Sequence, residues 1–159
     1  MDQLLKILSD NALTPAADIA RMLGISAEEV RQKIDDYEKR KVILGYKAVI
    51  DEDKLNLDRV KAVIEVKVQP EREGGFDRLA SRIGKFPEVR SMFLASGTFD
   101  FLLFVEGANL REVASFVSET VSTIEGVTAT ATHFMLKTYK FEGVLMKGQD
   151  SNERLSIAP

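Results

Sequence analysis

The sequence predicts an α+β protein in two parts, a trio of short helices followed by a domain in which strands and helices alternate. Apolar residues at spacings of three and four recur up to Tyr37, as expected of helices that bury one face. From Val60 to Val68 the chain instead alternates apolar and polar residues, as in a half-buried strand. A chain of 159 residues is long enough for two small domains of this kind.

Composition excludes several classes of protein. The chain has no cysteine, so disulfides and thiolate metal sites are excluded. No apolar run approaches the roughly 18–20 residues that span a bilayer, and no basic segment precedes an apolar stretch at the N-terminus. We therefore expect a cytoplasmic protein with no membrane contact. Net charge is −3, but residues 31–50 carry six bases against three acids.

The first two helices carry capping signals. Asp2 is expected to cap a helix that buries leucines at positions 4, 5 and 8. Thr14 is expected to cap the second helix, with Pro15 at its first position. Gly24 is expected to end this helix, because glycine readily takes the positive φ of a helix terminus.

The third helix and the segment after it complete the first part. Ser26, with Glu29 three residues later, predicts a capping box at the helix start. Residues 43–50 are interpreted as a short extended pair around Gly45, the wing of a winged domain. Residues 51–58 are polar and charged, and are interpreted as a linker.

The second part is predicted to have the element order βαββαβ, the ferredoxin-like arrangement. The expected strands are 60–68, 89–95, 99–105 and 127–139, and the expected helices are 76–86 and 109–125. Pro70 is expected to follow the first strand and end it. The predicted domains are 1–50, a linker at 51–58, 59–143, and a loosely held tail at 144–159.

The spacing around Gly24 is typical of a helix-turn-helix. Ala20 is small enough to let two helices approach closely, Gly24 supplies the turn, and Ile25 and Val30 fill the wedge between the helices. The spacing alone also fits a plain pair of helices in a helical core. The additional first helix and the basic segment that follows favour a DNA-binding helix-turn-helix.

In a helix-turn-helix the second helix of the motif enters the major groove of double-stranded DNA. Arg31 fits guanine and Gln32 fits adenine, since each can form two hydrogen bonds to that base. The remaining basic side chains fit phosphates. The residues expected at the DNA are Ser26, Ala27, Glu28, Arg31, Gln32, Lys33, Arg40, Lys41 and Lys47. The alternative is an exposed face of solvated charges, and the acidic Glu28 and Glu29 favour weak binding by a single chain.

Taken together, these segments resemble the Lrp/AsnC ("feast/famine") family of regulators over about residues 1–145. The resemblance rests on Ala16–Ile25 and Ser26–Ile34, on Val42–Tyr46, on Gly97–Asp100 before an apolar strand, and on Gly126–Val127 before a threonine-rich strand. The family usually has arginine, leucine and glycine at positions 33, 37 and 41, where this chain has Lys33, Tyr37 and Lys41.

The resemblance implies a winged helix-turn-helix joined to an effector-binding and assembly domain. It implies a homo-oligomer, a dimer or a tetramer or octamer built from dimers, that binds an amino acid between subunits. Carried over, the effector loop is Ser96, Gly97, Thr98, Phe99 and Asp100. A carboxylate at Asp100 suits an ammonium group, and N–H groups around Gly97 suit a carboxylate. The alternative is that Gly97 and Thr98 form only a hairpin turn.

The strand predicted at 99–105 favours assembly. It is apolar on both faces, with Phe99, Phe101 and Leu103 on one and Leu102 and Phe104 on the other. A sheet with helices on one face only leaves the second apolar face uncovered. We therefore expect the sheet of a second subunit to cover it, and Val63 to belong to the same interface.

No catalytic or metal-binding constellation is present, so we expect no enzyme, no cofactor and no metal site. The single histidine, His133, lies among threonines and is interpreted as structural. Sirohaem decarboxylases resemble these regulators in fold, but they carry histidines and tyrosines in the region matching Arg90–Phe104, which here has neither. A remaining alternative is a metabolite-binding or heterodimerising module with weak or lost DNA binding.

Overall fold

The computed structural model describes residues 2–55, 57, 59–69 and 75–146. The chain divides into two compact units, residues 1–48 and 49–159. Within the described residues, no helix is both long and apolar enough to cross a membrane. The predicted α+β class is confirmed.

The first unit contains three helices, α1 (Gln3–Asp10), α2 (Ala16–Leu23) and α3 (Ala27–Lys39). As predicted, Asp2 caps α1, since its carboxylate accepts the Leu4 N–H at 2.7 Å. The small core draws on all three helices, because each is apolar on one face only. Its buried members are Leu4, Leu8, Ile19, Ala20 and Val30.

The predicted cap of α2 is wrong. Pro15, not Thr14, is the N-cap residue, and no side chain caps the helix. The Thr14 hydroxyl instead donates to the Asn11 carbonyl oxygen at 2.8 Å. Threonine hydroxyls often bond to a nearby backbone group in this way, and the local turn here competes with the cap.

Helix α3 ends in a Schellman motif. The N–H of Lys41 donates to the Glu38 carbonyl at 3.0 Å, and the N–H of Val42 donates to the Tyr37 carbonyl at 2.8 Å. This pair of 6→1 and 5→2 hydrogen bonds requires a residue with left-handed backbone conformation, usually glycine, just after the helix. Lys41 occupies that position with φ 59°. The backbone of Lys41 is therefore strained where glycine would not be.

We expect the substitution Lys41→Gly to raise the free energy of unfolding of the first unit by about 0.5–1 kcal/mol. A left-handed residue with a Cβ costs about 1–2 kcal/mol, and the conformational entropy of glycine returns part of that gain. Hydrogen exchange of the amides of α1 and α3 would measure the change. Faster exchange in the variant would contradict the argument.

The prediction of a paired wing at residues 43–50 is wrong. In the described structure, residues 43–50 carry no paired strands. Gly45 lies in a segment without strand pairing, so no β-hairpin forms around it.

The second unit is a four-stranded antiparallel sheet with helices on one face. Its strand order is β2-β3-β1-β4, as predicted for the ferredoxin-like arrangement. A short 3₁₀ turn at Glu52–Leu55 lies within the predicted linker. The elements are β1 (Val60–Val68), α4 (Gly75–Ile83), β2 (Val89–Leu94), β3 (Phe101–Gly107), α5 (Leu110–Ser115) and β4 (Val127–Phe134).

Alternation along the strands sets the faces of the sheet. In β1 the even-numbered residues from Ala62 to Val68 are buried, and in β3 the odd-numbered residues from Phe101 to Val105 are buried. The register pairs Ile64 with Leu103, which places both sets on the same face. Helix α4 packs on that face through Leu79 and Ile83, and α5 packs there through Val113. Phe116, Val117 and Val121, in the helical turns that follow α5, belong to the same core.

Several element ends differ from prediction. Strand β3 begins at Phe101, two residues later than expected, and β4 ends at Phe134. Helix α4 ends at Ile83, three residues before the predicted end. Beyond α5 the chain continues as a π-helical turn over Phe116–Thr120 and a 3₁₀ turn over Val121–Thr123. Pro70, the predicted end of β1, lies outside the described residues.

The predicted tail starts too early. Two short strands, β5 (Lys140–Phe141) and β6 (Val144–Leu145), pair as a hairpin. Gly143 in its turn has φ 80°, a conformation that favours glycine. Residues 144 and 145 therefore belong to a hairpin, and the rest of the predicted tail from residue 147 lies outside the described residues.

Candidate DNA interface and effector loop

The turn between α2 and α3 has the geometry predicted for a helix-turn-helix. Gly24 has φ 67°, and the Ile25 N–H donates back to the Ala20 carbonyl at 3.2 Å. The capping box is present, with Ser26 N to Glu29 Oε2 at 2.8 Å and Glu29 N to Ser26 Oγ at 3.1 Å. These bonds hold the pKa of the Glu29 carboxyl below its usual value. The start of α3 is thus rigidly defined.

Residues on the outer side of α3 remain accessible. Glu28, Arg31, Gln32 and Lys33 are exposed, whereas Ala27 is half-buried against the core of the first unit. Glu28, Arg31 and Gln32 therefore share one helix surface, because positions three and four apart lie on the same side of a helix. Lys33 is exposed on another side of α3. Past the helix, Arg40, Lys41 and Lys47 are exposed as well.

Both side chains predicted to read bases are bound to one carboxylate. Arg31 Nη1 lies 3.2 Å from Glu28 Oε2, and Gln32 Nε2 donates to Glu28 Oε1 at 3.3 Å. Each oxygen of Glu28 thus receives one contact. From the sequence, Glu28 was expected to weaken DNA binding. Its contacts with Arg31 and Gln32 were missed, although the spacings of three and four residues could have indicated them.

The predicted phosphate contacts divide into two groups. Arg40 Nη1 lies 3.0 Å from Asp36 Oδ2, and its guanidinium lies 5.9 Å from the centre of the Tyr37 ring. Lys33, Lys41 and Lys47 form no ion pair with any other described residue. Lys33 still lies near enough to Asp2 and Glu29 to help lower the pKa of both carboxyl groups. Among the predicted phosphate contacts, Lys41 and Lys47 therefore have the least neutralised charge.

A long-range hydrogen bond ties α1 to α3. The Tyr37 hydroxyl donates to Asp2 Oδ2 at 2.9 Å, while the other oxygen of Asp2 caps α1. The Leu4 N–H and then the Tyr37 hydroxyl hold the pKa of Asp2 below its usual value. The same bond to Asp2 raises the pKa of Tyr37. This contact fixes the position of α3 relative to α1.

We expect the Asp2–Tyr37 contact to be lost at both ends of the pH scale. A lowered carboxyl pKa contributes stability above the unfolded value of about 4 that disappears as pH falls through the folded value, and a raised tyrosine pKa contributes stability below about 10 that disappears as pH rises further. A double-mutant cycle with Asp2→Asn and Tyr37→Phe, followed by thermal unfolding, should show coupling at neutral pH and none in acid. Coupling that persists unchanged in acid would contradict this assignment.

Backbone hydrogen bonds hold the base of the predicted effector loop, residues 96–100. The Ala95 N–H donates to the Asp100 carbonyl at 2.8 Å, and the Asp100 N–H donates to the Val66 carbonyl at 3.0 Å. Gly97 has φ 140° and nothing lies within 4 Å of the place of a Cβ. The two ends of the loop are thus held by hydrogen bonds, whereas Ser96, Gly97 and Thr98 at its tip are exposed.

Asp100 is fixed by the end of β1. Its Oδ2 accepts the Val68 N–H at 2.8 Å, and the side chain is half-buried like that of Phe99. Sequence reasoning missed this bond, because Val68 is 32 residues away in the chain. A carboxylate can accept several hydrogen bonds, so one bond to Val68 leaves capacity for a ligand.

The open face of the sheet is the surface that faces away from α4 and α5. Phe93 and Phe104 meet on it edge to face, with ring centres 6.0 Å apart, and Phe93 is 55% exposed. Charged residues lie around these rings, including Glu106 between Arg59 and Arg90, and His133 Nε2 at 3.4 Å from Glu65 Oε1. The apolar members of the open face are Val63, Phe93, Leu102, Phe104, Ala129 and Ala131.

A helix-turn-helix with an accessible second helix, joined to a βαββαβ domain, defines the class of two-domain DNA-binding regulators. Residues 61–145 match the family model described as the Lrp/AsnC ligand binding domain. The chain belongs to the Lrp/AsnC family of transcriptional regulators, as the resemblance predicted.

Relatives and solved structures agree with this assignment. The HTH-type transcriptional regulator YugG of Bacillus subtilis is 42% identical over 158 residues, 99% of this chain and 95% of that protein. The HTH-type transcriptional regulator LrpA of Pyrococcus abyssi is 30% identical over 137 residues, 86% of this chain and 94% of that protein. These names confirm the expectation that the chain is not an enzyme.

A crystal structure of a transcriptional regulator from Neisseria meningitidis, in complex with L-Met, has the same fold. It superposes with a TM-score of 0.69 at 23% identity, over 89% of this chain and 93% of that one.

Proposed function

We propose that this chain is a sequence-specific DNA-binding transcription regulator that responds to a small metabolite, an amino acid, bound at an interface between subunits. The exposed outer surface of α3, displayed by the turn at Gly24 and fixed by the capping box, carries this proposal. A helix presented in this way fits the major groove, and its N-terminal residues then lie at the base edges.

The side chains of α3 suit two kinds of contact. Arg31 and Gln32 would read base edges, and Ser26, Ala27 and Glu28 would lie beside them at the start of the helix. Lys33, Arg40, Lys41 and Lys47 would bind phosphates, which gives affinity and salt dependence without sequence information. Lys41 and Lys47 support this division, because a cation without a neighbouring carboxylate binds phosphate at less cost.

The effector loop suits a free amino acid. Asp100, held by the Val68 N–H, would bind the ammonium group, and backbone N–H groups around Gly97 would bind the carboxylate. Ser96, Thr98 and Phe99 would complete the site. The L-Met complex of the regulator from Neisseria meningitidis supports an amino acid as the class of ligand.

The open face supports a homo-oligomer built on a dimer. Two phenylalanines, a leucine and a valine lie there, with Glu65 and its contact to His133 beside them and the pairs of Glu106 towards one end. Aromatic side chains with polar groups around them are common at subunit interfaces. The sheet of a second copy would cover these rings and bring two effector loops into one assembly.

We expect the purified protein to bind the duplex upstream of its own gene tightly and with strong salt dependence. Fluorescence anisotropy at two salt concentrations measures this, with and without a mixture of amino acids. Arg31→Ala should weaken specific binding by about 1–3 kcal/mol, as for the loss of one bidentate base contact. Asp100→Ala should abolish any shift caused by amino acids while leaving DNA binding intact.

A metabolite-binding or heterodimerising module without DNA binding is the second candidate function. The contacts of Glu28 favour it, because they engage both base-reading side chains in the free protein. A folded oligomer that binds no duplex even at low salt, yet binds amino acids, would establish this second function and overturn the first.

A further inference from the structure

The acids of α3 differ in what they bind. Residues 27–39 contain five carboxylates and only three bases. Glu29 is engaged in the capping box, Asp35 and Asp36 pair with Lys39 and Arg40, and Glu38 accepts the Tyr46 hydroxyl at 2.9 Å. Glu28 alone among the five is bound to the side chains proposed to read bases.

This arrangement makes DNA compete with Glu28. A phosphate in DNA of any sequence offers Arg31 an anion. Binding that phosphate removes Arg31 from Glu28 and leaves the carboxylate beside the phosphates with no cation, bonded only to Gln32. A matching site offers base edges to Arg31 and Gln32, and a cytosine amino group to Glu28, so all three side chains exchange old partners for new ones. Specificity is a difference of affinities, and an element that penalises the wrong site raises it.

We propose that Glu28 is a specificity-determining residue that restrains Arg31 and Gln32 in the free protein and thereby weakens binding to non-matching DNA more than binding to the operator. The inference rests on the proposed DNA-binding function. The contact is exposed, at 63% for Arg31 and 67% for Glu28, so DNA can displace it readily.

The test compares Glu28→Gln with wild type on a mixed-sequence duplex by anisotropy over a series of salt concentrations. Glu28→Gln should bind this duplex about three- to tenfold more tightly, with a salt slope steeper by about one ion, because Arg31 is released to a phosphate. Asp35→Asn is the matched control, since it removes one negative charge from α3 and breaks the pair with Lys39. We expect no more than about a twofold effect from the control.

A double-mutant cycle separates restraint from simple repulsion. In an Arg31→Ala background, Glu28→Gln should have no greater effect than Asp35→Asn, because there is no arginine left to release. On the duplex upstream of the gene, Glu28→Gln should gain less than on the mixed-sequence duplex, so the ratio of specific to non-specific affinity falls. Thermal unfolding checks that α3 remains folded, with Glu29 still completing its cap.

The outcomes distinguish the inference from the function on which it rests. If wild type binds DNA and Glu28→Gln is indistinguishable from Asp35→Asn, Glu28 is only a surface charge and the inference is overturned while the regulator stands. If Glu28→Gln improves both duplexes equally, the inference also fails. If neither wild type nor any variant binds either duplex at low salt, the DNA-binding function itself is overturned.

Discussion

Replacing Phe104 by lysine on the open face is expected to dissociate the proposed dimer into monomers. The ring of Phe104 packs against Phe93 near the centre of that face, where a partner sheet would exclude water. A lysine there would place a charge in the apolar contact between the sheets, and a two-fold axis would bring two such charges close together. We expect the dissociation constant of the dimer to rise by at least about 100-fold.

Sedimentation velocity over a range of concentrations measures this change. The variant should remain folded by far-UV circular dichroism, since Phe104 lies opposite the core formed with α4 and α5. Leu110→Lys is the control, because Leu110 is 57% exposed on α5, on the helical side of the sheet. A wild-type protein that is monomeric at micromolar concentration, or a Phe104→Lys variant that stays dimeric, would show that the open face is not the interface.

Where local chemistry alone decides a structure, the sequence was sufficient. The capping box of Ser26 and Glu29 uses groups three residues apart, so nothing distant can displace it. The alternation in β1 likewise predicted which face is buried, because strand geometry leaves only two faces. The strand order followed from the sequence of elements, since few ways of connecting them are open to a short chain.

Where two local solutions compete, the sequence was not sufficient. Thr14 can cap a helix or close a turn onto Asn11, and both are common uses of a threonine hydroxyl. The apolar spacing from residue 110 to 124 predicted one helix, yet the chain passes from α to π to 3₁₀ geometry. Val113, Phe116, Val117 and Val121 are buried all the same, so the spacing of apolar residues does not distinguish the three.

The candidate site shows the same limit. Residue types and spacing predicted the exposed positions of α3 and a turn at Gly97, because both depend on nearby residues. The role of that turn as an effector loop came from the family resemblance. The bond from Val68 to Asp100 joins two strands far apart in the chain and became visible only with the fold. The contacts of Glu28 were only partly predictable. Helical spacing permits them, but it does not show which of several partners a side chain contacts.

Gly126, which precedes β4, combines a positive φ with close neighbours, so an added methyl group there is expected to lower stability. Its φ is 92°, and a Cβ there would lie 3.3 Å from Leu79 Cδ1 and 3.4 Å from the Gln69 carbonyl oxygen. The Gln69 N–H also donates to the Gly126 carbonyl at 2.8 Å, which ties this backbone to the end of β1. The chain therefore has little freedom to move away from the new atom.

We expect Gly126→Ala to lower the free energy of unfolding of the second unit by about 2–4 kcal/mol, since backbone strain adds to the cost of crowding Leu79. Urea unfolding followed by far-UV circular dichroism measures it. Gly143→Ala is the matched control: its φ is 80° and nothing lies within 4 Å of a Cβ, so only backbone strain of about 1 kcal/mol applies. Equal losses in the two variants would mean that crowding against Leu79 contributes nothing, and that backbone conformation alone requires glycine at this position.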